Sequence, residues 1–188
     1  MGDAVYKSPD GGQHWLPHNV GLKEHVSFIN QFVFHPALSE KIYAATTVGA
    51  YYTKDAGREW EERMNGMKEV HIVTSIAINH KDPTILYGGT TGGVYRSEDA
   101  AMSWKKINQG LIPDTELMAS MALGVNAIEL DPVNPDIVYA GTTKGLFRTG
   151  NKGEQWERIG LSLPDPFVSS IVIHPTEPSL LYVGGPGG

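Results

Sequence analysis

A pattern of eight residues, Ser/Thr-x-Asp-x-Gly-x-x-Trp, occurs four times in this 188-residue chain and uses all four of its tryptophans. The copies recur about every 45 residues, with a longer step before the last one, and such self-similarity is the signature of a repeat architecture. Two copies are degraded, because Ala101 replaces the glycine of the third and Asn151 the aspartate of the fourth. The residues that carry the pattern are Ser8, Asp10, Gly12 and Trp15; Thr53, Asp55, Gly57 and Trp60; Ser97, Asp99 and Trp104; and Thr149, Asn151, Gly153 and Trp156.

A second shared block lies between the copies and runs from a His, Asn or Asp past a proline to a tyrosine and a turn of small residues. Short β-branched and aromatic runs broken by Gly, Pro, Asn and Asp predict hairpins. In the second unit the predicted strands are 73–79, 85–90, 94–97 and 103–107. Four antiparallel strands in a unit of about 45 residues are typical of a β-propeller blade. The sequence therefore predicts an all-β propeller without a major helix.

The repeat boundaries predict a single domain, with units at about 1–22, 23–66, 67–110, 111–162 and 163–188. The first unit supplies only strands three and four of a blade, and the last supplies only strands one and two. One prediction is that strands within 168–184 pair with those within 5–17, giving a four-bladed ring with a composite blade. Closure between two chains, as an eight-bladed homodimer, and a cut from a longer propeller are the alternatives. Closure removes exposed sheet edges, which favour aggregation.

Composition narrows the classes of function. The net charge is −6 and the sequence shows no basic stripe, so nucleic acid is not expected as a partner. No apolar run is long enough to predict a membrane span. Cysteine is absent, which excludes disulfides and thiol chemistry. No histidine spacing predicts a metal site, and the glycine-rich turns lack the lysine of a phosphate loop. We therefore expect no metal and no cofactor, and Met1-Gly2-Asp3 does not resemble a signal peptide.

The four copies resemble the Asp-box, also called the bacterial neuraminidase repeat, over nearly the whole chain. Proteins with this repeat include sialidases, xyloglucan-active endoglucanases, sortilin-type receptors and photosystem II assembly factors. The Tyr-x-Gly-Thr-x-x-Gly-[Val/Leu]-[Tyr/Phe] blocks are most similar to glucanase-like and assembly-factor-like propellers. The resemblance is specific for fold and unspecific for activity, and it implies an extracytoplasmic location, periplasmic or secreted.

The box itself is predicted to be structural. An aspartate at a tight turn accepts hydrogen bonds from backbone N–H groups a few residues on, and a Ser or Thr hydroxyl satisfies another. The tryptophan is expected to fill the gap between neighbouring sheets while its N–H finds a partner. Asn151 should tolerate the turn, whereas Ala101 is expected to force a rearranged one.

Strand alternation predicts two faces. The proline-containing turns and the boxes should share one face, and the connections between units should lie on the other, which is the candidate functional face. The longest of these connections, about 108–124, is predicted to carry a short helix that docks a partner, plugs the channel or packs on its own blade. The candidate residues for binding are His71, Leu117, Met118 and Met121.

Catalysis by a glycosidase requires two carboxylates about 5–10 Å apart. The acids on the candidate face are Glu24, Glu69, Asp114, Glu116 and Asp165, and the weak catalytic candidates among them are Glu69, Asp114 and Glu116. Solvated loop acids explain them equally well. The arginines hold repeat positions and the Arg-Ile-Pro signature of sialidases is missing, so a sialidase site is poorly supported.

Two classes of function follow. The favoured one is a non-catalytic propeller that binds a protein or serves in assembly. The alternative is a carbohydrate-active propeller, either a glycoside hydrolase of the endoglucanase or sialidase type or a glycan-binding module. A glycan platform needs exposed Trp or Tyr, yet every Trp stands in a box, and only Phe28 and Phe167 fall near the candidate face. The expected partner is therefore a protein or, less favoured, a glycan.

Overall fold

The computed structural model describes residues 5–24, 28–67, 69–111, 123–163 and 166–186. These residues form antiparallel strands and, within the described ranges, no helix. The strands are β1 Tyr6–Lys7, β2 Leu16–Pro17, β3 Ile29–Phe34, β4 Ile42–Thr46, β5 Gly49–Thr53, β6 Glu61–Glu62, β7 Val73–Ile78, β8 Leu86–Thr90, β9 Gly93–Ser97, β10 Lys105–Lys106, β11 Val125–Leu130, β12 Val138–Thr142, β13 Gly145–Thr149, β14 Glu157–Ile159, β15 Ser170–Ile173 and β16 Leu181–Gly184.

The strands assemble into three complete four-stranded sheets and two hairpins. Sheet β3–β6 is here called the first blade, β7–β10 the second and β11–β14 the third. Strands β1–β2 form a two-stranded sheet before the first blade, and β15–β16 form another after the third. In every complete blade the strands pair in chain order, so each is a meander in which the first strand pairs only with the second.

The second and third strands of each blade are short runs of buried, mostly small or aromatic residues. Ala44 and Ala45 are fully buried in β4, and Gly88 and Gly89 take the same places in β8. Small side chains at these positions let the next sheet approach closely. Because side chains alternate between the two faces of a strand, every second residue packs into the space between sheets. The core consequently lies between successive blades, in clusters that each draw on two neighbouring sheets.

The fourth strands are shorter than the sequence predicts. In the second blade the predicted range 103–107 contracts to Lys105–Lys106. The cause is that the backbone N–H of Trp104 donates to Asn65 O of the preceding blade at 2.8 Å, so this residue leaves the ladder of its own sheet. Short outer strands with charged side chains also expose little edge to other chains.

The first strand of each complete blade contains a bulge near its beginning. The register of β3 and β4 shifts between Ile29 and Gln31, and the same shift recurs between Val73 and Ser75 and between Val125 and Ala127. A bulge leaves one residue out of the ladder and re-aims its side chain. The residues left out are Asn30, Thr74 and Asn126, which matter for the contacts between blades.

The structure departs from the predicted composite blade. Strands β1–β2 and β15–β16 form two separate sheets instead of one. The reason is their packing: Val5, which precedes β1, lies in a cluster with Tyr51 and Trp60 of the first blade, whereas Ile171 of β15 lies in a cluster with Tyr139 of the third. The two hairpins therefore belong to different ends of the series of blades.

Candidate functional site

The box turn is built from a hydroxyl and a carboxylate that bind backbone amides. In the first blade Thr53 Oγ1 donates to Asp55 Oδ1 at 2.7 Å and accepts from the N–H of Gly57 at 3.0 Å. Asp55 Oδ1 also accepts from the N–H of Glu59 at 3.0 Å. These bonds are the main reason that the pKa of Asp55 lies below its usual value of 3.8, with the Glu59 N–H as the largest cause.

The other three boxes have the same hydrogen bonds. Asn151 accepts from the N–H of Gln155 at 3.0 Å, so an amide oxygen replaces the carboxylate without loss of the turn. The prediction that Ala101 rearranges its turn is wrong. Its N–H donates to Ser97 Oγ at 2.9 Å as in the other boxes, because Ala101 adopts a left-handed conformation with φ of 65°. The carboxylates are therefore occupied by the turn in every box that has one.

A second turn lies beside each box at the same end of the blade. The polar residue that begins the proline block of each unit caps this turn. Asn79 Oδ1 accepts from the N–H groups of Lys81 and Asp82, and His35 Nδ1 accepts from those of Ala37 and Leu38. The two turns of one blade are joined by a backbone bond, such as Ala100 N to Thr84 O at 2.8 Å. This end of each blade is thus held by its own hydrogen bonds.

The tryptophans join each blade to the connection that leaves the preceding unit. Trp60 donates its backbone N–H to Val20 O at 2.8 Å and its indole N–H to His18 O at 3.0 Å. The acceptors for Trp104 are Asn65 O and Arg63 O, and those for Trp156 are Gln109 O and Ile107 O. These three tryptophans are buried. We call this pair of bonds the tryptophan latch.

Trp15 is the exception. Its side chain is 59% exposed and its indole N–H donates to Gly12 O of its own box at 3.1 Å. The turn itself is complete, since Gly12 N donates to Ser8 Oγ at 2.7 Å and His14 N to Asp10 Oδ1 at 2.9 Å. The box therefore folds without the latch.

The inner strands carry a ladder of polar side chains that link neighbouring blades. Asn30 Nδ2 donates to Val73 O at 2.7 Å, Thr74 Oγ1 donates to Val125 O, and Asn126 Nδ2 donates to Val168 O at 2.9 Å. Each donor stands at the bulge described above. Together they line a shallow cavity of about 220 Å³ along the inner strands.

Glu129 of β11 also lines this cavity and is the only carboxylate among the described residues that do so. Burial raises the pKa of its carboxyl above the usual value of 4.5. At the same repeat position the other inner strands carry Val33, Ala77 and Val172. Alignment of the repeats shows Glu129 as a charged residue at an otherwise apolar position. The sequence analysis did not identify it as a candidate.

A larger groove of about 760 Å³ lies between the second and third blades. Its lining includes Arg96, Lys105 and Lys106 from the second blade and Glu154 from the third. Both lysines are exposed, and the Nε of Arg96 is buried without a hydrogen-bond partner in the described part of the chain.

At the corresponding place between the first and second blades, two contacts cross the seam. There Arg63 Nη1 lies 2.8 Å from Met102 Sδ, and Asn65 Nδ2 donates to Met102 O at 3.4 Å. At the equivalent positions the second seam has Ile107 and Glu154 instead of Arg63 and Met102. Side-chain contacts therefore bridge the first seam at this place, and a groove lies at the second, although both are built from the same repeat.

The residues proposed from sequence are only partly within the described ranges. Glu69 and His71 lie exposed on the connection between β6 and β7. Glu24 is also exposed, at the connection before β3. Among the described residues, Glu69 is the only predicted catalytic acid. The candidates that lie outside the described residues are Asp114, Glu116, Asp165, Leu117, Met118 and Met121. Within the described ranges, no group of three or more His, Asp or Glu side chains is arranged to hold a metal ion.

Comparison with solved structures gives 124 matching chains. An ancestral GH74 enzyme superposes with a TM-score of 0.76 at 20% identity, and the alignment covers 96% of this chain and 24% of the enzyme's chain. The GH74 xyloglucanase from Xanthomonas campestris gives 0.72 at 18% identity, with 96% and 32% covered. The propeller domain of Swd1 from Myceliophteria thermophila gives 0.55 at 12% identity, with 79% and 46% covered. The chain has the fold of a β-propeller.

These likenesses show the fold of this propeller and do not assign its activity, since the identities are low and the chain spans about a quarter to a third of the GH74 chains. No protein-family model matches the propeller. No curated protein matches it either. Within the described residues, none forms a helix of the length and apolar character that crossing a membrane requires.

Proposed function

We propose that this propeller is a non-catalytic binding module that takes an extended polypeptide segment in the groove between its second and third blades. The observation that carries the proposal is the groove at this seam, where Ile107 and Glu154 replace the Arg63–Met102 pair that bridges the seam beside it. A groove beside a short edge strand is a surface that peptides use by adding main-chain hydrogen bonds to sheet edges.

The second-blade side of the groove favours a segment that carries a carboxylate, while the exposed Glu154 on the third-blade side carries the opposite charge. Asp99 is used by its box turn, and Glu98 pairs with Arg96. Lys105 and Lys106 remain, and neither makes an ion pair with another described residue.

The experiment is a titration of the chain with acidic, neutral and basic extended peptides, in which binding is measured by changes in the NMR chemical shifts of the backbone amides. Acidic peptides should shift the amides of 104–109, and the double variant Lys105→Glu, Lys106→Glu should abolish the effect. The double variant Lys54→Glu, Arg58→Glu, an equal charge change at two exposed positions of the first blade, should leave binding unchanged. Binding that persists in the double variant, or shifts confined to other blades, contradicts the proposal.

A second candidate, glycoside hydrolysis, is favoured by Glu129. A carboxyl with a raised pKa beside amide and hydroxyl side chains has the protonation behaviour that a general acid needs. The second carboxylate that hydrolysis requires is not among the described residues of this cavity. We expect no turnover of xyloglucan, β-glucans or sialosides. Turnover that disappears in Glu129→Gln or Glu69→Gln would establish the hydrolase instead.

We also propose an extracytoplasmic location, on the Asp-box resemblance.

A further inference from the structure

The two hairpins expose aromatic residues whose repeat equivalents are buried in the complete blades. Trp15 is 59% exposed, whereas the tryptophans of the three complete blades are at most 5% exposed. Tyr6 of β1 is 50% exposed, and its equivalents Tyr51 and Tyr95 are buried. The exposure therefore belongs to the incomplete sheet and not to the residue type.

Phe32 belongs to the same exposed surface. It lies on β3 of the first blade and is exposed, although Ile76, Ile128 and Ile171 at the same position of the later inner strands are buried. Those isoleucines pack against the first and second strands of the blade before them. Before the first blade, the described residues form only β1 and β2, which correspond to strands three and four of a blade. Phe32 faces the place where the missing pair would lie.

The other end of the series shows the complementary defect. Tyr182 of β16 is 66% exposed, whereas Tyr43, Tyr87 and Tyr139 at its repeat position are buried. Tyr43 and Tyr87 place their hydroxyls on the box of the following blade, at Ala100 O and Lys152 O. Tyr182 has no following box among the described residues.

Strand β16 also offers a sheet edge. Gly184 O accepts from Ser169 N at 2.8 Å, and Leu180 O accepts from His174 N at 2.9 Å, so the backbone groups of these residues point to the β15 side. Because successive residues of a strand point their backbone groups to opposite sides, those of Leu181 and Val183 point to the other edge. In the described chain β16 pairs with β15 alone.

We propose that a second copy of this chain completes both hairpins, with β15–β16 of one copy and β1–β2 of the other forming one four-stranded blade. The register follows from the complete blades, where Ala44 stands opposite Tyr51. The equivalent residues are Val183 and Tyr6. The proposal extends seams that the chain already contains, and it is independent of the peptide groove.

The same docking buries every exposed aromatic residue named above. Trp15 reaches the connection after β14 of the other copy, where Ile159 O and Leu161 O hold the positions of the latch acceptors. Phe32 packs on the β15–β16 sheet, and Tyr182 reaches the box of the first blade, where Ala56 O matches Ala100 O. The contact is head to tail, and two copies of four blade equivalents each close it as an eight-bladed ring; a rotation that does not close would give an open-ended series instead.

One residue weakens this junction relative to the internal seams. The connections after the other fourth strands have a glycine six residues after the tryptophan, and a Cβ on Gly66 would lie 2.0 Å from Trp104 O. Ser162 holds that position in the last connection, where the left-handed residue is Gly160 instead, with φ of 66°. Ser162→Gly should therefore tighten the association.

Light scattering on the intact chain tests the proposal. The expected mass at high concentration is twice the monomer mass of 20.5 kDa. Trp15→Ala and Tyr182→Ser, one at each end, should give monomers with unchanged folded spectra, and Val133→Ser, an exposed apolar residue of the third blade, should remain dimeric. A monomer at all concentrations, an open-ended series of larger species, or dissociation of the Val133→Ser control overturns the proposal.

Cysteine cross-linking tests the register, since the natural chain has no cysteine. A chain with Tyr6→Cys mixed with a chain with Val183→Cys should give a disulfide-linked heterodimer, because opposite residues of paired strands have Cα atoms about 5.5 Å apart, within the range of a disulfide. Each single variant alone should link poorly. A chain that carries both cysteines and forms only an internal disulfide would show that one copy closes on itself, and the second copy would be excluded.

Discussion

Asn151 performs in the fourth box the task of an aspartate in the other three. It accepts from Thr149 Oγ1 at 2.7 Å and from Gln155 N at 3.0 Å. The turn therefore needs a side-chain oxygen at this position and does not need a charge. The physical role of the box aspartates is to accept hydrogen bonds, as the short polar residues of Asx-turns do.

This equivalence predicts different outcomes for two substitutions of Asp55. Asp55→Asn should lower the melting temperature at pH 7 only by the small contribution of the charge, whereas Asp55→Ala should lower it further because Glu59 N and Thr53 Oγ1 lose their acceptor. The folded pKa of Asp55 is lowered, so its charge contributes stability above 3.8 that is lost as the pH falls through the folded pKa. Thermal melts from pH 7 to pH 2 measure both. An alanine variant as stable as the asparagine variant would contradict the assignment.

Glu129 predicts the opposite pH dependence. Burial raises its folded pKa above 4.5, so its contribution to stability is fully present below that pH and is lost as the pH rises through the folded pKa. Glu129→Gln should therefore melt above the natural protein at pH 7 and equal it near pH 4. The exposed Glu177→Gln serves as the control. A lower melting temperature for Glu129→Gln at pH 7 would show that the carboxylate has an undetected partner.

At the scale of the strands, the latch is expected to supply much of the stability of each blade. Trp60→Ala removes a buried aromatic side chain and should lower the free energy of unfolding by about 3–5 kcal/mol, as measured by chemical denaturation. Trp15→Ala, measured on monomeric protein, should change it little because that side chain is exposed. Unchanged melting with lost binding in Trp60→Ala would overturn the structural role of the box.

The sequence predicts strand positions well where hydrophobic periodicity and turn residues agree. The predicted second strand of the second unit, 85–90, is observed as Leu86–Thr90. The prediction fails at the fourth strands, because the backbone N–H of Trp104 donates to Asn65 O of the preceding blade. The sequence of a single unit does not encode that partner. The sequence of one unit does not predict the groove for the same reason, since its lining combines Ile107 of one blade with Glu154 of the next. The helix predicted near 108–124 lies mostly outside the described residues.

At the scale of the whole molecule, the blades contact one another in series, and each seam should behave as a separable interface. Gly66→Ala places a Cβ against Trp104 O at 2.0 Å and forces a left-handed alanine, with φ of 92° at this position. We expect it to open the seam between the first and second blades. Hydrogen exchange should then accelerate at Trp104 N, and denaturant unfolding should split into two transitions.

Gly150→Ala is the matched control, because its Cβ would meet only Arg148 at 4.0 Å. It should keep slow exchange at Trp104 and a single transition. If Gly66→Ala behaves like this control, the seam depends on side-chain packing and not on the latch.

The latch has a consequence for how such a molecule changes over generations. Its acceptors are backbone carbonyls, so the connections His18–Val20, Arg63–Asn65 and Ile107–Gln109 accept the same tryptophan although their side chains differ. A contact that reads the main chain places little demand on the identity of its neighbour. Whole units can then be duplicated, deleted or exchanged by recombination, while the side chains of each connection remain free to acquire a new ligand.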